Sequence, residues 1–123
     1  MLNLKELKIS FQVAFKGIGV AMKEEQTFTI QVLIGALVLI LMYWLPLNNI
    51  ERAILILAMI LVWSLELINS QIERALDVLH PDFHHKVGRI KDMAAGAVLI
   101  VSIGSIFIGI LILLPAILEV LKF

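Results

Sequence analysis

One helical face near the middle of the chain carries three carboxylates and an amide. It lies in ELINSQIERALD, residues 66–77, directly after the apolar run AILILAMILVWSL. At about 100° per residue, four polar side chains fall within an arc of about 80°: Glu66, Asn69, Glu73 and Asp77. A carboxylate in hydrocarbon is costly unless it faces a partner, an ion or water. We therefore expect this face to meet one of these three, while the nearby cation Arg74 points elsewhere.

Several carboxylates beside an amide suit a hard divalent cation. Mg²⁺ typically takes one or two carboxylates, with water and phosphate completing its shell, and Glu73 and Glu25 would suit that role. Lys91 could neutralise a phosphate, and Asp92 beside it could face the same space. Glu66 lies deeper, where partial desolvation makes a carboxylate a better proton acceptor. Together these residues would suit Mg²⁺-assisted phosphoryl transfer from a nucleotide to an alcohol at the membrane surface.

The same residues allow plainer interpretations. Asn69 and Ser70 could be interhelical hydrogen-bonding groups, and Glu73 and Asp77 could form a hydrated face just outside the bilayer. Glu66 is harder to explain in this way, because an acid within the membrane is a functional candidate by default. The sequence contains neither a G-x-x-x-x-G-K-[ST] loop nor the protein-kinase motifs.

The segment HPDFHH places three histidines near one another: His80, His84 and His85. A zinc site is one interpretation, but the spacing lacks the carboxylate and paired histidines of a helical zinc motif. We favour a hydrated loop that follows Pro81.

The composition predicts an all-α membrane protein with a single domain over residues 1–123. Of 123 residues, 61% are hydrophobic, which is more apolar surface than a soluble domain of this size can bury. Three segments reach the roughly 20 residues that a span requires: 28–47, 50–79 and 92–118. The absence of cysteine excludes disulfides and thiolate chemistry. Basic and acidic residues cancel at ten each, so the net charge gives no indication about nucleic acid. We expect no nucleic-acid partner.

The first 24 residues predict an amphipathic surface helix. One stripe is apolar, comprising Leu4, Leu7, Phe11, Phe15, Ile18 and Met22. A second stripe, about 100° around, is polar and mostly basic, comprising Lys5, Lys8, Gln12, Lys16 and Lys23. Such a helix suits the membrane interface, where lysines reach anionic headgroups. Packing against its own helical bundle is an equally acceptable and compatible alternative.

The distribution of basic residues predicts the orientation in the membrane. Four lysines precede the first span, and four basic residues lie on or after the acidic face of the second. The positive-inside rule then places the N-terminus and the 78–92 loop in the cytoplasm and the C-terminus outside. The candidate site residues would all lie at or near the cytoplasmic surface.

Two motifs carry a family resemblance that covers nearly the whole chain. ELINSQIERALD, followed by GRIKDMAAGAVLI at 88–100, closely resembles the small prokaryotic integral-membrane lipid kinases, the diacylglycerol kinase and undecaprenol kinase family. AFKG at 14–17 and the acid before the first span also match. The resemblance implies a homotrimer in the bacterial inner membrane, with active sites between protomers on the cytoplasmic side. It also implies MgATP bound without a P-loop.

The resemblance also implies residue roles. Glu66 resembles the catalytic base that takes the proton of the lipid hydroxyl, and Glu73 and Glu25 resemble the two metal-binding acids. The other matching positions are implied to hold or organise the phosphates (Asn69, Lys91 and Asp92) or to lie near the nucleotide (Asp77 and Gly88).

The departures from the family concern the acceptor lipid. Many undecaprenol-type members read NTAIE and NFRIH where this chain has NSQIE at 69–73 and TFTIQ at 27–31. Thr29 and Gln31 thus replace a basic pair that would contact a lipid headgroup or phosphate. AAGAVLI and GILILLP look more like the undecaprenol branch, whereas GRIKDM and FHH look more like the diacylglycerol branch. Either lipid is compatible with the sequence.

Two other classes of function are compatible with an intramembrane acid. A small proton- or cation-coupled oligomeric transporter would use Glu66 as its coupling acid, but such an acid belongs near the midplane, and these acids crowd one surface. A noncatalytic scaffold would need no function from Glu66 at all.

Overall fold

All regular structure in residues 1–122, the part of the chain that the computed structural model describes, is helical. Four helices follow one another: α1 (Leu4–Glu24), α2 (Gln26–Trp44), α3 (Asn49–Leu79) and α4 (His85–Leu121). The last three are long and apolar enough to cross a membrane. The predicted all-α architecture with three candidate spans is therefore confirmed.

The break between α1 and α2 consists of one residue, Glu25. Its backbone is extended, with φ −108° and ψ 97°, and its N–H still donates to the carbonyl of Ala21. The Thr29 hydroxyl, in the first turn of α2, lies 2.7 Å from the carbonyl oxygen of Met22 and 3.1 Å from that of Glu25. This hydroxyl stabilises the break by joining the end of α1 to the start of α2.

The turn between α2 and α3 has a strong local signal. Helix α2 ends at Trp44, because Pro46 lacks a backbone N–H and restricts the residue before it. Asn48 and Glu51 form a capping box, in which each side chain accepts a hydrogen bond from the other residue's backbone N–H. Helix α3 therefore begins at Asn49, close to the predicted residue 50.

Helices α3 and α4 are longer than a bilayer is thick. The 31 residues of α3 correspond to about 46 Å, against a hydrocarbon core of about 30 Å. Helix α4 begins at His85, earlier than the predicted residue 92, because the His84 side chain caps it by accepting from the N–H of Lys86 at 3.1 Å. Lys91 and Asp92 consequently lie inside α4 rather than at its start.

The helices pack most closely at the end of the bundle formed by the α2–α3 turn. A buried apolar cluster there contains Met42, Leu45, Leu47, Leu55 and Ala116. Helix α3 packs chiefly against α4 and then α2, whereas α1 packs on α2. Most large apolar side chains of the protomer are exposed, as expected for surfaces that face lipid or a second copy.

Candidate active site

Glu66 is a buried carboxylate on the inward face of α3. Its side chain is only 6% exposed, and Ser70 one turn further on is buried as well. The carboxylate Oε2 accepts a hydrogen bond of 3.3 Å from the amide Nε2 of Gln31 on α2. Because α3 is one continuous helix, the periodicity places Asn69 and Glu73 on nearly the same face, towards its C-terminal end.

A second hydrogen bond joins the same two turns of α2 and α3. The indole Nε1 of Trp63 donates to the backbone carbonyl of Gln31 at 3.1 Å. Gly35, one turn after Gln31, makes room for the indole, since a Cβ at Gly35 would overlap the ring. The sequence pointed to Gln31 only as a position for lipid contact. Its role as the partner of Glu66 was missed, because the two residues are 35 positions apart.

Glu25 is held by Arg74 from α3. The Arg74 Nη1 lies 2.7 Å from Oε2 of Glu24, and its Nη2 lies 2.8 Å from Oε1 of Glu25. Arg74 thus reaches from α3 to the end of α1 and pairs with both acids there. Nothing in the sequence pattern indicated its acidic partners.

Asp77 forms an ion pair with Lys91, which joins the ends of α3 and α4. Lys91 is partly buried, as is Gly88, whereas Asp77 and Asp92 are exposed. Asp77 follows Glu66 by about three helical turns, or roughly 16 Å along the axis. Within one protomer, this pair therefore lies well beyond Glu66.

The carboxylates of Glu25 and Glu73 are close enough to Glu66 to interact with it electrostatically. No three metal-ligating side chains cluster within residues 1–122 of one protomer. The donor chemistry nevertheless fits Mg²⁺, which is commonly bound by one or two carboxylates and completed by water and phosphate. Glu73 is exposed and Glu25 partly so, which leaves both carboxylates accessible from water.

Two cavities adjoin these residues. An apolar cavity of about 290 Å³ lies between α2, α3 and α4, with Gln31 and Trp63 among its lining residues and Leu113 further along α4. A more polar cleft of about 520 Å³ lies between α1 and α3, where Glu25 and Arg74 are among the lining residues. Gln31, the partner of Glu66, thus borders apolar space, and Glu25 and Arg74 border a separate cleft that carries charged side chains.

The fold and the polar face define a class, namely multi-pass membrane proteins with an acidic site at one end of the helical bundle. The sequence matches the family model of the prokaryotic diacylglycerol kinases over residues 12–113. The chain therefore belongs to the prokaryotic diacylglycerol kinase family, and the expected family relationship is confirmed.

Relatives in this family carry two different kinase names. A diacylglycerol kinase of Synechocystis sp. is 34% identical over 94% of this chain and 66% of its own length. An undecaprenol kinase of Bacillus subtilis is 37% identical over 86% of each chain, and a diacylglycerol kinase of Escherichia coli is 33% identical over 76% of each. This chain thus spans slightly less than two thirds of the Synechocystis relative. The comparisons support the lipid-kinase interpretation and do not favour the transporter.

Proposed function

We propose that this protein transfers the γ-phosphate of ATP to the hydroxyl group of a membrane lipid alcohol, with Glu66 as the catalytic base. The observation that carries the assignment is a carboxylate that is 6% exposed on the inward face of a membrane-crossing helix, with two further carboxylates nearby. A purely structural role does not explain a carboxylate at this position, because burying a carboxylate is unfavourable for folding.

The reaction would be a single displacement. Glu66 accepts the proton of the lipid hydroxyl while the lipid oxygen bonds to the γ-phosphorus. The bond from that phosphorus to the oxygen bridging it to the β-phosphate breaks, and ADP leaves. Such a transition state needs mainly alignment and charge stabilisation, which explains how a small helical protein without a P-loop can catalyse it.

Glu25 and Glu73 would hold Mg²⁺, which neutralises phosphate charge when it is bound. Asn69, Lys91 and Asp92 would hold or organise the phosphates. The ion pair of Lys91 with Asp77 supports a place for the lysine at the water-exposed ends of α3 and α4. Asp77 and the nearby Gly88 would adjoin the nucleotide.

The site is proposed to be completed in a homotrimer. In one protomer the Lys91–Asp77 pair lies well along α3 from Glu66, so a neighbouring copy would supply some of the groups around each base. Exposed apolar surfaces on the three candidate spans leave room for such an interface.

The site is proposed to lie on the cytoplasmic side of the bacterial inner membrane, where ATP is available; the distribution of basic residues supports this orientation. Helix α1 would lie along that surface, because nearly all of its side chains are exposed in the protomer.

The acceptor would be diacylglycerol or undecaprenol, the alcohols in the names of the relatives. An acyl or prenyl chain could occupy the apolar cavity, whose lining includes the Gln31 residue that contacts Glu66. The hydroxyl would then approach the base from within the membrane, while ATP approaches from water.

The test uses purified protein in mixed micelles with MgATP and each lipid in turn, following transfer of the γ-phosphate. We expect transfer to one lipid, and we expect Glu66→Gln to lower kcat by about 10²- to 10⁴-fold. Glu119→Gln, which changes an exposed acid near the other end of the bundle, is the matched control and should leave kcat unchanged. Folded wild-type protein that phosphorylates neither lipid would overturn the proposal.

A further inference from the structure

We propose that Gln31 is the positioning residue for the Glu66 carboxylate. The proposal rests on the function above, in which Glu66 is the base. The amide Nε2 of Gln31 donates to Oε2 of Glu66 at 3.3 Å across the α2–α3 interface. Glu66 is 6% exposed, so water has little access to compete for this contact. The amide therefore fixes the direction in which the carboxylate points.

The amide of Gln31 can donate to the Glu66 carboxylate in only one orientation. An ionised carboxylate accepts hydrogen bonds and donates none, so the amide must present its Nε2 and turn its Oε1 away. That Oε1 is buried and makes no hydrogen bond within residues 1–122.

A buried polar atom without a partner is unfavourable for folding. The cavity beside Gln31 is lined mainly by apolar residues such as Ile34, Val38 and Leu55, so leucine would satisfy packing here better than glutamine. The bond to Glu66 is the contact that explains an amide at this position.

The backbone that carries Gln31 is itself held in place. Trp63 lies one turn before Glu66 on α3 and donates to the Gln31 carbonyl at 3.1 Å. The indole fits against α2 only because Gly35 has no side chain. One stretch of α3 therefore contacts Gln31 twice, through its backbone and through its amide, which fixes both the separation and the rotation of the two helices at the level of the base.

This arrangement assigns different tasks to the two oxygens of Glu66. Oε2 is occupied by the Gln31 amide, so Oε1 is the oxygen that accepts the proton from the lipid hydroxyl. Without the amide, the carboxylate would rotate among several orientations, and fewer of its encounters with the hydroxyl would be productive.

The test compares Gln31→Leu and Gln31→His with wild type and with a matched control, Gln26→Leu, at the exposed start of α2. Gln31→Leu should lower kcat by about 10- to 100-fold, with the KM values for MgATP and lipid within about twofold of wild type. Gln31→His should retain more activity than Gln31→Leu, because an imidazole N–H can also donate. Gln26→Leu should match wild type.

A double variant separates positioning from general damage to the fold. If Gln31 acts through Glu66, adding Gln31→Leu to Glu66→Gln should cause no further loss of kcat. Multiplying losses would overturn the proposal, as would a raised KM with unchanged kcat. Should Gln31→Leu fail to fold, Gln31→Asn provides the test, since its shorter side chain keeps an amide but cannot reach Glu66.

The two proposals fail in different ways. An inactive Glu66→Gln variant beside a fully active Gln31→Leu variant would overturn the positioning role and leave the base intact. An active Glu66→Gln variant would overturn the assignment of the base, and with it the premise for Gln31.

Discussion

The inward face of α3 changes character along its length. Near the α2–α3 turn it carries Leu55, which is 3% exposed and packs in the apolar cluster with Met42 and Ala116. About three turns later the same face carries Glu66, which is nearly as buried but has a polar partner, Gln31. One side of one helix thus contributes both to the packed apolar end of the bundle and to the polar end, where the active site is proposed.

Different interactions hold the helices together at the two ends of the bundle. Helices in lipid gain little from hydrophobic association, so the apolar end depends on close van der Waals packing. The other end depends on a few specific polar contacts, such as Gln31 with Glu66, and on exposed ion pairs, which are individually weak. Substitutions at the apolar end should therefore change stability, whereas those at the polar end should change catalysis.

After Glu66→Gln, the largest effect is expected at the polar end, from Glu73→Gln. Loss of a carboxylate that is proposed to bind Mg²⁺ should lower the transfer rate by roughly 100-fold and raise the Mg²⁺ concentration that is required. Because Glu73 is exposed, unfolding should be unchanged. Transfer rates measured across a Mg²⁺ titration check this, with Glu51→Asp at the opposite end as control. An unchanged Mg²⁺ requirement would remove Glu73 from the metal site.

The next largest effect is expected at the apolar end, from Leu55→Ala. Removing this buried side chain should lower the free energy of unfolding by about 2 kcal/mol, the low end of the usual range, since the unfolded helix would expose it to lipid rather than water. The kcat of the folded fraction should be unchanged, and any change in activity should fall on the KM for the lipid, because Leu55 also lines the apolar cavity. Denaturation in sodium dodecyl sulfate followed by circular dichroism measures the stability. Leu57→Ala, at a side chain 56% exposed, is the matched control.

Gly35→Ala lies between the two ends and should affect both properties. The added Cβ would overlap the Trp63 ring, and overpacking of this kind costs about 1 to 3 kcal/mol. Displacement of Trp63 would also move Gln31, so kcat should fall. Gly104→Ala is the control, because a Cβ there meets nothing within 4 Å. Lost stability with an unchanged kcat would show that the Trp63 contact does not support the site.

The smallest effect is expected from Arg74→Gln. The ion pairs of Arg74 with Glu24 and Glu25 are exposed, and such pairs contribute little in water. The thermal midpoint should change only slightly, and the difference from wild type should vanish in about 0.5 M salt. Thermal unfolding at low and high salt measures this. A large loss of transfer at unchanged stability would instead place Arg74 in the active site.

The helices and the acidic face could be predicted because both are local properties. A run of about 20 apolar residues indicates a span by length alone, and the 3.6-residue period places Glu66 and Glu73 on one side of any helix they share. The start of α4 was misplaced because His84, an uncommon capping residue, begins the helix ahead of Asp92.

The contacts across helices could not be predicted in this way. Helix α2 carries apolar residues on every side, so its lipid-facing and protein-facing sides look alike in the sequence. Gln31 and Glu66 are 35 positions apart, and Glu25 and Arg74 are 49 positions apart. Neither pair follows from the spacing of residues within one helix.

The sequence by itself determined that this protein has membrane-crossing helices and an acidic face, because hydrophobicity, length and helical period act within a single segment. Only the tertiary structure decided which side of α2 meets Glu66 and where the α1–α2 break places Glu25. The packing of Trp63 over Gly35 determines which side of α2 faces Glu66, and the ion pair with Arg74 helps to determine the position of Glu25. Both depend on the shapes of facing helices, which no single segment contains.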